Sequence, residues 1–195
     1  GLKNVHNDTC YPALLVIGQF MEALKSGEYD PDCTALLITQ TGGGCRASNY
    51  IHLLRKCMAE HYPQVPVISL NFAGLEKSKG FSLTAGMCVK LIYGVLYADL
   101  LMTLYNQCLP YELNKGETDQ VKQHWQEKLP TLFHGVKYLS AEKIYQEMLT
   151  DFASIPRSQK KKIKVGIIGE IYVKYSPRAN NHLEEFLIQE GCEPV

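Results

Sequence analysis

Apolar positions recur along this chain with helical and strand-like spacings that alternate. Leu14, Leu15, Ile17, Phe20, Met21 and Leu24 return three and four residues apart, as one face of a helix. Pro12 suits the first turn of that helix, where its missing N–H costs nothing, and Gly27 closes it. Thr34 to Thr39 is a short apolar run with the length of a buried strand, and Pro66 to Leu70 is another. Between them, Arg46 to His61 has helical spacing, with Ile51, Leu54 and Met58 on one face. Leu2 to His6 reads as a short first strand.

The pattern then turns helical. Phe81 to Leu113 predicts one or two long apolar helices, followed by helices near Thr118–Phe133 and Ser140–Ile155. Lys164 to Gly169 is a further strand, Tyr172 to Arg178 a loop, and Asn180 to Glu190 a helix stopped by Gly191. Glu193 to Val195 begins one more strand. The order β-α-β-α-β, a helical stretch, then β-α-β predicts a layered α/β protein with parallel strands. Pro156 to Lys162 is the best linker. The domain division expected is therefore 1–156 for an α/β domain with its helical stretch, 157–162 for the linker and 163–195 for the start of a second α/β unit.

Composition narrows the classes. Lys+Arg and Asp+Glu balance at 20 each, so the chain carries no general attraction for nucleic acid or an anionic membrane. The one basic run, Lys160, Lys161, Lys162 and Lys164, reads as a solvated linker. Leu91 to Leu109 contains one formal charge, Asp99, but its tyrosines and amides make a core or interface helix the better reading than a membrane span. Seven cysteines with irregular spacing and no CxxC argue for reduced thiols in a cytoplasmic protein. Gly1 to Cys10 is polar and lacks a signal-peptide core. The missing initiator methionine and an ending inside a strand pattern suggest a piece of a longer polypeptide.

Candidate chemistry falls on the strand-to-helix loops. Cys10 and Cys45 each open a helix after a proposed strand, and parallel strands joined by right-handed crossovers carry such loops to one sheet edge. Adjacent strands lie about 4.8 Å apart, close enough for two such side chains to share a metal cluster. A helix N-terminus also favours the thiolate that cluster ligation needs. Against this stands the ordinary reading of two buried structural cysteines. Gly42, Gly43 and Gly44 form either a tight turn that lets backbone approach a ligand or a phosphate cradle, but no P-loop or GxGxxG surrounds them. Arg46 either neutralises an anionic group or lies at the surface. Asn71, with Lys77 and Ser78, follows the next strand. Glu170 and Asn181 belong to the last unit and are candidate cleft residues. Cys33, Cys57, Cys88 and Cys108 read as structural. The histidines form no HxxxH pair and no GxSxG occurs, which removes support for a zinc or serine hydrolase.

Three segments carry a family resemblance: HNDTCYPA from His6 to Ala13, ITQTGGGCRASNYI from Ile38 to Ile51, and VGIIGEIYVKYSPRANNHLEEFL from Val165 to Leu187. Together they resemble the 2-hydroxyacyl-CoA dehydratase superfamily, and more closely the dehydratase-like region of large CoA-enzyme-activase-related proteins. The resemblance implies a Rossmann-like or flavodoxin-like parallel sheet with flanking helices and a helical insertion. It implies an iron–sulfur cluster of the [4Fe-4S] kind, with Cys10 and Cys45 matching its first two cysteine ligands. A third ligand is expected beyond the Gly169–Asn181 unit, and Cys192 is a poor match for it. The partner implied is an ATP-hydrolysing activase-like component, in cis or in trans, with a CoA thioester as candidate substrate in anaerobic metabolism. No activase ATP motif is visible, so catalysis by the isolated chain is not expected. The alternative is a non-catalytic α/β scaffold or partner-docking module.

Overall fold

The structure, a computed structural model, describes residues 3, 5, 6, 9–40, 50–71 and 82–195, with the side chain at position 71 outside that set. The chain divides into two compact units, Gly1–Ser82 and Leu83–Val195. Each has its own core.

In the first unit, α1 (Tyr11–Lys25) begins with Pro12 in its first turn, and Gly27 follows it with φ +79°, a left-handed conformation that side chains resist. Strand β1 (Leu36–Gln40) and strand β2 (Val67–Asn71) pair in parallel, with Leu36 opposite Val67 and Gln40 opposite Asn71. Helix α2 (Tyr50–His61) lies between them in the chain, as a parallel connection requires. Ile17, Met21 and Leu24 of α1 pack with Leu36 and with Leu54 and Met58 of α2. This is the apolar spacing of both helices turned inward. At the end of the ladder the Ser69 hydroxyl donates to Gln40 Oε1 at 2.8 Å, satisfying two buried polar side chains. The first strand expected over Leu2–His6 is not seen: Lys3, Val5 and His6, its described residues, adopt turn, bend and irregular backbone.

The second unit is built on α3 (Ala85–Cys108), capped by the Thr84 hydroxyl, which accepts from the Met87 N–H at 3.2 Å. Tyr97, Leu101, Leu104 and Cys108 on one face pack with Trp125 of α4 (Glu117–Leu132) and with Ile144, Met148 and Phe152 of α5 (Ala141–Ala153). The opposite face of α3 stays open within this unit, with Ile92 59% and Val95 61% exposed. The helix is therefore core on one side only. Among the described residues it is the one helix long and apolar enough to cross a membrane by length and composition.

Strand β3 (Ile163–Val165) pairs in parallel with β4 (Cys192–Pro194). The strand expected to run to Gly169 is shorter because Gly166 and Gly169 interrupt it, although the Ile167 N–H still bonds the Val195 carbonyl at 2.9 Å. Between β3 and β4, the expected loop over Tyr172–Arg178 is helical instead. Glu170 caps α6 (Ile171–Tyr175) by accepting from the Val173 N–H, and Pro177 opens α7 (Pro177–Asn180). Helix α8 (Leu183–Gln189) follows, and Gly191 ends it at φ +81°. The expected linker lies inside this unit, held where Leu113 N–H donates to Pro156 and Ser158 N–H to Tyr111.

The architecture is thus mixed helix and strand, with two small parallel sheets among the described residues and no closed barrel. These two-stranded pairs fall short of a full Rossmann-like sheet.

Candidate functional site

Cys10 occupies the N-cap position of α1, half-buried, with φ −52° and ψ 135°. Pro12 and the apolar stripe behind it fix where this helix starts. Its sulfur makes no capping bond to the first turn. Instead the Tyr50 hydroxyl donates to Cys10 Sγ at 3.3 Å, within the range for a bond to sulfur. Tyr50 is the first described residue of α2. The opening turns of α1 and α2 are therefore adjacent, although 40 residues separate these two side chains along the chain.

Gly42, Gly43, Gly44, Cys45 and Arg46 lie outside the described residues, as do Lys77 and Ser78. Their positions in the sequence are nonetheless bounded. Residues 42–46 fall in the sequence between Gln40, the end of β1, and Tyr50, the residue that touches Cys10, whereas Lys77 and Ser78 follow β2. Asn71 is described only as backbone, at the end of β2 opposite Gln40. At the opposite, amino end of β2, Arg55 of α2 donates from its guanidinium to the Val67 carbonyl at 3.2 Å.

Glu170 and Asn181 belong to the second unit and have local roles. The Glu170 carboxylate caps α6, and Asn181 takes a left-handed conformation, φ 55°, between α7 and α8. The remaining cysteines are free thiols: Cys33 is exposed, Cys88 and Cys192 half-buried, Cys57 and Cys108 buried. Burial pushes the Cys57 thiol up from its ordinary range. It does the same to Cys108, against the opposing pull of Arg157, whose guanidinium stands 3.7 Å from that sulfur. Both are held in the neutral form of a structural thiol. Among the described residues, no group of three or more His, Cys, Asp or Glu side chains stands together as a metal site.

Two features escaped the sequence reading. Tyr50 lies inside the ITQTGGGCRASNYI segment but carried no chemical label there, and no local signal singles it out. Glu193 is only 4% exposed in β4 and accepts from the Tyr111 hydroxyl at 2.7 Å and from Lys164 at 3.2 Å. The Tyr111 bond first, and then Lys164, hold its carboxyl below the usual range against the cost of burial. This cluster ties β4 to the turn after α3, and all its members satisfy one another, which marks it as structural. No family model, curated protein or solved structure matches the chain.

Proposed function

We propose that the chain is a piece of a redox protein of the 2-hydroxyacyl-CoA dehydratase type, in which Cys10 and Cys45 are thiolate ligands of an iron–sulfur cluster. The observation that supports this reading is the contact from Tyr50, five residues after Cys45 in the sequence, to Cys10. Cys45 precedes Tyr50 by five residues in the sequence, a stretch that spans at most about 18 Å when extended, so the chain length permits the second sulfur to approach the first. The parallel pairing of β1 with β2 agrees with loops that leave the sheet at one edge. The Rossmann-like or flavodoxin-like completion of that sheet is part of the proposal.

Of the two proposed ligands, Cys10 lies among the described residues, and a half-buried cysteine with a hydroxyl aimed at its sulfur suits such a group in its chemistry. When bound, an iron–sulfur cluster supplies one-electron transfer. Within this chain, Cys10 would hold one position and Cys45 a second. The Tyr50 hydroxyl would orient Cys10 Sγ and share its negative charge. Gly42 to Gly44 would let backbone approach, and Arg46 would balance anionic charge. Asn71, Glu170 and Asn181 remain candidates for lining a substrate cleft that takes a CoA thioester. An ATP-hydrolysing activase-like component would deliver the electron, in a cytoplasmic setting. Further ligands would come from elsewhere in the full-length protein.

The test is anaerobic reconstitution of the full-length protein with iron and sulfide, counting iron per chain. Replacing Cys10 and Cys45 together with Ala is expected to abolish cluster iron and its visible absorption. Iron content equal to that of the parent would end the proposal. The open face of α3, with Ile92 and Val95 exposed, favours a second reading as a partner-docking module. Cross-linking and size-exclusion chromatography with the activase-like component separate the two: this reading requires capture that survives loss of both cysteines.

A further inference from the structure

Two hollows adjoin along α3 in the second unit, and neither enters the redox proposal. The larger, about 630 Å³, lies between α3 and α4, with Ala98, Leu101, Leu129 and Phe133 on its apolar wall. Its polar end holds Tyr105, Lys122 and Gln126. The smaller, about 230 Å³, reaches from α3 to Ile167, Pro194 and Val195, the carboxyl edge of the β3–β4 pair, with Lys174 and Tyr175 beside it. Met102, Asn106 and Glu184 line both, so the two form one groove. From Gly94 to Asn106 it follows ~18 Å of helix axis at 1.5 Å per residue.

Charge is distributed unevenly along it. The Lys122 ammonium stands 3.8 Å over the Tyr105 ring, and Lys174 stands 5.2 Å over Tyr175. Among the described residues neither lysine forms an ion pair. Both cations thus stand over aromatic rings without a direct carboxylate contact, with the Asp119 carboxylate bonded to the hydroxyl of the ring beneath Lys122. The ring beneath Lys122 stays neutral, because burial first, and then the bond its hydroxyl gives Asp119, pushes the Tyr105 phenol above its ordinary range. Glu184, at the junction, is the one carboxylate among the described residues that line the groove.

We infer that this groove binds an elongated amphiphile, an apolar chain ending in a singly charged anion. The chain lies against Ala98, Leu101, Leu129 and Phe133, and the anionic end meets Lys122. Apolar area removed from water drives such binding, and the fixed cation sets its polarity. Glu184 opposes a multiply charged head, since like charges at close range in a partly desolvated groove repel. The carboxyl edge of parallel strands is also where small ligands sit in open α/β folds.

The test uses the 195-residue chain and decanoate, followed by titration calorimetry and by chemical-shift mapping, with decanol as the neutral control. Decanoate is expected to bind at one site and to outcompete decanol. Ala98 is exposed, so Ala98→Phe fills the apolar wall without entering the core, and it is expected to weaken binding ~10-fold or more. Lys122→Met is expected to weaken decanoate roughly fivefold and leave decanol unchanged. Glu184→Gln is expected to tighten decanoate. Circular dichroism checks that each variant is folded. Equal binding of decanoate and decanol, or parent-like binding by both Ala98→Phe and Lys122→Met, overturns the inference. So does a self-associated chain that excludes decanoate, which would assign the groove to a second copy. None of these outcomes bears on Cys10 or Cys45, and loss of cluster iron in their variants does not bear on the groove.

Discussion

Replacing Met148 with Ala tests the face that α5 turns inward. Met148 is fully buried, between Ile144 at 5% and Phe152 at 1% exposure, in the cluster that contains Trp125 at 0%. The neighbours are large and fixed. The Trp125 indole N–H donates to Asp151 Oδ2 at 2.9 Å, and Lys128 lies 4.1 Å from the centre of its ring. Such walls do not collapse into a void, so the loss combines transfer energy with a retained cavity, about 3–5 kcal/mol. For a chain of this size each kcal/mol shifts the melting temperature by about 2–4 °C, giving a drop of roughly 6–20 °C. Leu149→Ala is the control on the same helix one residue later. Leu149 is 42% exposed, and its truncation is expected to cost about 1 kcal/mol or less. Urea unfolding followed by the fluorescence of Trp125, the sole tryptophan, reads both variants. If Leu149→Ala lowers the midpoint as much as Met148→Ala does, the assigned register of α5 is wrong.

Glu193 gives the chain an acid-sensitive contribution to stability. Its folded-state pKa lies below the ordinary value, chiefly through the Tyr111 hydroxyl, so its contribution is whole above the unfolded value of ~4.3 and is lost as pH falls through the folded pKa. Thermal melts from pH ~7 to ~3 are expected to show the parent above Glu193→Gln at neutral pH, with the gap closing in acid; a constant gap refutes the assignment. In a reconstituted full-length protein, Tyr50→Phe removes a donor from Cys10 Sγ and is expected to lower the cluster's midpoint potential in a redox titration, with iron content kept. An unchanged potential would remove Tyr50 from the site.

Local signals in the sequence were strong where punctuation and periodicity agreed. Pro12 and Gly27 bracket α1, and the run Thr34 to Thr39 overlaps β1 in all but its last residue. The parallel pairing of β1 with β2 and of β3 with β4 followed from the alternation of strand and helix. The misread segment, Tyr172–Arg178, carried its own signals: Glu170 as a cap and Pro177 at a helix start. Their helices are five and four residues long, too short for apolar periodicity to register. The division at Ser82/Leu83 was hidden because Pro156–Lys162 has a linker's composition, yet backbone bonds to Leu113 and Tyr111 hold its edges. Composition reports solvation and stiffness, whereas those bonds join residues more than 40 apart. Within the candidate site, the position of Cys10 was legible from Pro12. The Tyr50 contact was not, since nothing local to either residue encodes their approach. The groove lysines were equally silent: Lys122 falls in an expected helix and Lys174 in a segment read as a loop, and nothing local marks either as lining a groove.

The central claim is a distance between two sulfurs, and it is testable without iron. A bis-alkylating bimane that becomes fluorescent only on joining two thiols, applied to the reduced chain and followed by peptide mapping, reads that distance directly. The account predicts one bridged peptide pair containing Cys10 and Cys45, absent when either is replaced by Ser. Separate single adducts on both residues, with no bridge between them, would contradict it.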